Sequence, residues 1–283
     1  MKSGFQQIML PKAMKKKEEG EKILPRLKKG GYQGIELCDY LCHRSSLVLK
    51  LITRLGGMPV YNIGSYDWKK LIDESGLEVF SYHTDLDTLE KHPEKKVQEA
   101  YFFHTDKIVI TGMYNYPYDR KEKVLELASR LNKMGKELAK GDIRLLYHNH
   151  DAEFLKVEEG MTAYDVLMKH TDPRYVNFEF DSYWASFAGV DILTMMERLS
   201  SRLVLWHVTD RCVSLKDKSF TPIRKVSPTE LGRGLLDLKS WFRKAKEIKV
   251  EAAIVETHNN FLHDSPLDSL LVSGEYLKKL KEE

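Results

Sequence analysis

The stretch Ile143-Arg-Leu-Leu-Tyr-His-Asn-His-Asp-Ala-Glu-Phe154 concentrates chemistry: His148, Asn149, His150, Asp151 and Glu153 fall within six residues after a short apolar run. Apolar runs of that length, bounded by polar residues, read as buried strands. Imidazoles and carboxylates at the buried end of a strand are costly without a partner. A cation is the partner that satisfies both. Other apolar runs end in the same residue types: Glu36, His83, Asp181, His207 with Asp210 close behind, and Glu256. Three or four oxygen and imidazole ligands with an open position describe a catalytic divalent site. No cysteine is well placed to join it. A Ser–His–Asp arrangement lacks the Gly-x-Ser-x-Gly elbow it would need.

Each of these residues has a plainer alternative. Asp181, followed by Ser182-Tyr-Trp, could cap a helix or turn. His207 beside Trp206 could be a satisfied core histidine, although Asp210 supplies a second polar group. Trp184, Trp206, Tyr147 and Tyr183 could wall a sugar ring or simply pack the core. An unpaired carboxylate at Glu256, after Ala253-Ile-Val, would be costly.

The elements that must position these groups alternate. Strands are expected over Gly4–Leu10, Tyr32–Cys38, Leu77–Tyr82, Lys107–Thr111, the His148-bearing run, Tyr175–Asp181, Leu203–Val208 and Glu251–Val255. Helices are expected over Lys12–Lys29, His43–Leu55, Trp68–Ser75, Arg120–Lys140, Ala163–His170, Asp191–Leu199, Leu236–Ile248 and Ser265–Lys279. Cys212–Gly234 shows no period and reads as a long loop over the strand ends. Eight strand-then-helix units without a composition break predict one (β/α)8 TIM barrel domain over residues 1–283, α/β in class. No glycine-rich dinucleotide fingerprint follows the first strand, which disfavours an open doubly wound sheet. In such a barrel the active site lies at the C-terminal strand ends, where the candidate ligands fall.

The chain has 283 residues, 42% of them apolar, with a net charge of +3. That balance offers little to a nucleic acid, and Lys12–Lys17 is followed at once by Glu18, Glu19 and Glu21. Three cysteines (Cys38, Cys42, Cys212) make no paired framework, as expected of a reducing compartment. No run reaches the roughly 18 apolar residues of a membrane span. A cytoplasmic protein with no membrane or nucleic-acid partner is expected, and a homo-oligomer is compatible with the sequence.

Several segments resemble the xylose-isomerase-like barrels of the sugar phosphate isomerase/epimerase superfamily. They are Gly31-Tyr-Gln-Gly-Ile-Glu36, Tyr147-His-Asn-His-Asp-Ala-Glu-Phe154, Phe180-Asp-Ser-Tyr-Trp184, Ala188-Gly-Val-Asp191, His207-Val-Thr-Asp210, Gly232-Arg-Gly-Leu-Leu-Asp237 and Val255-Glu-Thr257. The resemblance implies a divalent ion, Mn²⁺ ahead of Zn²⁺, Co²⁺ or Mg²⁺, held by a carboxylate after the fifth strand, Asp181, His207 and Glu256. Many relatives carry Glu-Asn-His where this chain has His148-Asn149-His150. Glu153 is therefore preferred as first ligand over His148, because two acids and one His leave a site short of negative charge. Thr209 and Arg233 also depart, standing where relatives often have Lys and an acid.

The resemblance further implies a sugar isomerase or epimerase working by proton transfer next to a carbonyl, through an enediolate. Glu153 and Glu256 would move the proton, with His148 and His150 as alternative bases. Glu36, His83, Trp184 and Asp210 would line the place of a sugar or keto-sugar. The runner-up is a lyase or hydratase of the same superfamily acting on keto-sugars, keto-glycosides or keto-inositols. An abasic-site endonuclease would need more metal ligands and a basic rim. A barrel that binds a sugar without turning it over is the non-enzymatic alternative.

Overall fold

The computed structural model describes residues 1–43, 63–214 and 220–282. Eight parallel strands close into a barrel in the order β1-β12-β9-β8-β5-β4-β3-β2. They are β1 (Lys2–Gln6), β2 (Gly34–Cys38), β3 (Glu78–Thr84), β4 (Lys107–Thr111), β5 (Arg144–His148), β8 (Val176–Asp181), β9 (Leu203–Val208) and β12 (Ala252–Val255). The fold class expected from the alternation is the one observed. Two small antiparallel hairpins stand outside the barrel: β6 (Lys156–Glu158) with β7 (Met161–Thr162), and β10 (Asp210–Val213) with β11 (Val226–Thr229). No helix among the described residues is long and apolar enough to cross a membrane.

The described chain divides into two compact units. The first takes in residues 80–208 and 239–253. Its strands are near-continuous apolar runs, buried along most of their length, as strands covered on both faces must be. The helix Lys121–Leu138 buries Val124, Leu127, Ala128, Leu131, Met134 and Leu138, the stripe its 3.6-residue period demands. Two helices that the expected elements do not include, Leu86–Lys91 and Pro93–Phe102, follow β3; Asp85 caps the first by accepting from Thr88 N, and proline opens the second.

The starts of β4 and β5 carry an ion network. Arg144 donates to Asp106 and Glu251, and the Lys107 ammonium lies against the same two acids. Burial pushes both carboxyls up, but hydrogen bonds and charge from Lys107 and Arg144 outweigh it and hold them below the ordinary range. Their stabilisation is therefore present above about pH 4 and is lost as pH falls through the depressed folded values. Arg144→Met is expected to flatten the acid side of the Tm-against-pH profile, and a profile parallel to the parent's would remove this network as the cause.

The second unit takes in residues 2–79, 209–238 and 254–283. Here β1 is shorter than expected and ends at Gln6, because the chain turns through Gln7–Met9. The buried Gln7 side chain fixes that turn by accepting from Cys38 N at 2.8 Å. The helix expected over His43–Leu55 lies, beyond His43, outside the described residues. The expected loop Cys212–Gly234 instead contains most of the β10–β11 hairpin, paired from Asp210↔Thr229 to Val213↔Val226. Four-residue strands interrupted by Pro228 leave too little alternation to be legible as strands.

Candidate active site

A register shift decides which side chains meet at the end of β8. Phe178 pairs with Leu203 of β9, but Glu179 pairs with Leu205, so β9 gains one residue at this point. Such a bulge re-aims everything beyond it. It places His207, rather than Trp206, beside Asp181. Trp206 instead packs against Phe242 and donates Nε1–H to Ser182 Oγ at 2.9 Å. His207 is fully buried, with Nδ1 3.9 Å from Asp181 Oδ2 and Nε2 3.4 Å from Glu179 Oε2.

On the other side of β8, β5 pairs His148 with Glu179. His148, Asp181 and His207 each present a ligand atom within 4.8 Å of the others, and all three are buried. Asp181 is also the helix cap considered from sequence: Oδ1 accepts from Trp184 N at 2.9 Å and opens the helix Ser182–Phe187. The cap uses Oδ1 and leaves Oδ2 toward His207. Asn149 fixes the strand end, accepting from Asp181 N at 3.0 Å and donating to Asp181 O at 3.1 Å. Asn149→Ala would leave two buried backbone groups without these partners, and a loss of about 1–3 kcal/mol is expected by chemical denaturation; a loss within a few tenths would show that Asp181 is held by other means.

Glu153, preferred from sequence as the first ligand, is not in that set. It is buried, with Oε1 accepting from Tyr147 OH at 2.8 Å and Oε2 from His150 N at 2.9 Å. The loop after β5 turns Glu153 back onto its own strand, so the imidazole of His148 holds the strand-end position instead. Tyr118 and Tyr147 join their hydroxyls at 2.7 Å. Burial first, and then the Glu153 charge, push both phenols up, so they remain protonated. Gly112 makes room for this carboxylate: a Cβ there would stand 2.5 Å from Glu153 Oε1 and 3.0 Å from His150 Nδ1. His150 is half-buried, 5.0 Å from His148 and 6.0 Å from Trp184 between ring centroids.

His83, expected to line the substrate's place, is buried with Nε2 2.9 Å from Glu179 Oε2. In the second unit, Glu36 is fully buried and accepts from Gln6 Nε2 at 3.1 Å. Glu256 follows β12, is 7% exposed, and has Oε1 3.2 Å from His258 Nε2. The Thr209 hydroxyl donates to its carbonyl. Asp210, expected to touch substrate, is saturated by backbone donors. Its two oxygens accept from the backbone N–H groups of Arg211, Gly232, Gly234 and Leu236, which takes up the lone-pair sites of a carboxylate. Asp210 is therefore the anchor of the Gly232-Arg-Gly234 turn, and Gly234 is required because a Cβ would collide with it.

The residue that sequence reasoning undervalued is Glu179. It is fully buried and meets three histidines. Its spacing of two from Asp181 on one strand was the available signal.

A family model described as "Xylose isomerase-like TIM barrel" matches residues 24–279. The chain is 26% identical over 171 residues to an inosose dehydratase of Clostridium tetani; the match covers 58% of this chain and only 56% of that protein. Among solved structures, a sugar phosphate isomerase/epimerase from Parabacteroides distasonis superposes with a TM-score of 0.75 at 22% identity, covering 98% of this chain and 93% of the other. The IolI protein with a bound zinc atom superposes with a TM-score of 0.67 at 12% identity, covering 99% and 98%. At those identities the structural likenesses speak to the fold alone.

Proposed function

The chain belongs to the xylose isomerase-like TIM barrel family, and from that premise we propose that it is a divalent-metal-dependent lyase removing water from a keto-inositol or keto-sugar. The isomerase or epimerase reading, placed first on sequence alone, becomes the second reading. The likeness to an inosose dehydratase supports this order.

The observation that carries the proposal is the convergence of His148, Asp181 and His207, buried and within 4.8 Å of one another, at the ends of three strands. A buried mixture of imidazoles and one carboxylate suits a divalent ion. These three residues would hold it. Two imidazoles favour Zn²⁺ or Co²⁺ over the Mn²⁺ expected from sequence. When bound, the ion supplies Lewis acidity toward a substrate carbonyl and its neighbouring hydroxyl.

The chain's own groups account for the proton movements. His150 is half-buried beside Trp184, which offers an aromatic wall to a ring. Its imidazole takes the proton from the carbon next to the carbonyl and returns it to the hydroxyl leaving the following carbon, so the net loss is water. Glu153 positions His150 through its backbone N–H and is itself held by Tyr147.

The test is incubation of chelated and zinc-reloaded protein with a panel of keto-inositols and keto-sugars, followed by mass spectrometry. A metal-dependent product one water lighter than its substrate is expected. A product of equal mass would return the protein to the isomerase reading, and no turnover with any ion would overturn the enzymatic proposal.

A further inference from the structure

Glu179 is fully buried in the first unit, where a carboxylate is costly unless its neighbours offer N–H groups. Those neighbours are imidazoles. Oε2 of Glu179 lies 2.9 Å from His83 Nε2, 3.2 Å from His148 Nδ1 and 3.4 Å from His207 Nε2. Two of these rings, His148 and His207, are the imidazoles assigned above to the ion, and Glu179 faces a different nitrogen on each. His148 turns Nδ1 to it, which leaves Nε2 for the ion. His207 turns Nε2 to it, which leaves Nδ1, the nitrogen 3.9 Å from Asp181 Oδ2.

We propose, on the metal-binding reading above, that Glu179 is the positioning residue of the site: it takes the N–H of each ligand imidazole from behind and so fixes which nitrogen meets the ion. The protons balance with both rings neutral. His148 keeps its proton on Nδ1 and His207 on Nε2, both aimed at Glu179, and each ring gives its one lone pair to the one ion. A metal-bound histidine commonly gives its other N–H to a carboxylate or carbonyl, which sets its tautomer and raises its strength as a ligand. Here one carboxylate serves two rings because β8 lies between their strands, pairing Glu179 with His148 of β5 and Asp181 with His207 of β9. His83 is the third contact, from β3, with its ring 5.7 Å from that of His148 and 5.8 Å from that of His207. Asp181 brings one negative charge to a doubly charged ion, and Glu179 adds a second without becoming a ligand.

The test compares the full chain with Glu179→Gln. Glutamine keeps the shape and one acceptor oxygen, loses the charge, and turns an amide NH₂ toward rings that need an acceptor. The zinc Kd, measured by competition with a chromophoric chelator, is expected to rise about 10–100-fold, with one zinc per chain still bound at saturation. Long-range ¹H–¹⁵N NMR of the zinc-loaded parent should show His148 protonated at Nδ1 and His207 at Nε2. A purely structural role for Glu179 would lower Tm and leave the Kd where it was. A Kd within twofold of the parent's therefore overturns the positioning role and leaves the metal site standing, whereas a parent that binds no zinc overturns the metal-binding reading and this role with it. Should Glu179→Gln not fold, the parent's tautomers decide: either ring bound to zinc through the nitrogen that faces Glu179 overturns the proposal.

Discussion

Asp181→Asn is expected to lose the ion and to lower kcat/KM by at least about 10²–10³-fold, or roughly 2.7–4 kcal/mol of transition-state stabilisation. Asparagine keeps a side-chain oxygen for Trp184 N, the hydrogen bond that starts the helix Ser182–Phe187. The cap should survive and the negative charge should go. Asp181→Ala removes both, adding a capping loss of about 1 kcal/mol. Comparing the two separates ion binding from folding: metal content should fall in both variants, and Tm appreciably only in the alanine one. Retention of both metal and activity in Asp181→Asn would show that Asp181 is a cap and nothing more.

His150→Asn is expected to lower kcat by about 10²–10⁴-fold, the usual contribution of a general acid–base group. Metal content should be unchanged, because His150 is not among the mutually close ligand atoms around Asp181. KM should move little. The backbone N–H that Glu153 accepts remains in this variant, so Glu153 and Tyr147 keep their arrangement. A loss of metal together with activity would make His150 a ligand. Full activity would transfer the proton movement to another group.

The barrel was legible because its signal is periodic. Runs such as Leu203–Val208 have one composition and the intervening helices another, and eight such alternations admit few folds. The cluster of His148, Asp181 and His207 was legible in part for the same reason, since strand ends are where acids and imidazoles are conspicuous. What escaped were details set by partner strands. The shift that brings His207 beside Asp181 depends on pairing between β8 and β9, which no single stretch encodes. Glu153 was preferred over His148 by a charge argument, yet three residues of loop turn it onto Tyr147. The four backbone donors to Asp210, which come from residues up to 26 positions away, are likewise set by tertiary folding.

An anomalous-scattering crystal structure of the zinc-loaded protein tests the central claim most directly. The account predicts a peak within about 2.0–2.2 Å of a nitrogen of His148, an oxygen of Asp181 and a nitrogen of His207, with Glu153 still bound by Tyr147 and His150. An ion coordinated by Glu153 with His148 turned away, or no ion near Asp181 at all, would contradict it.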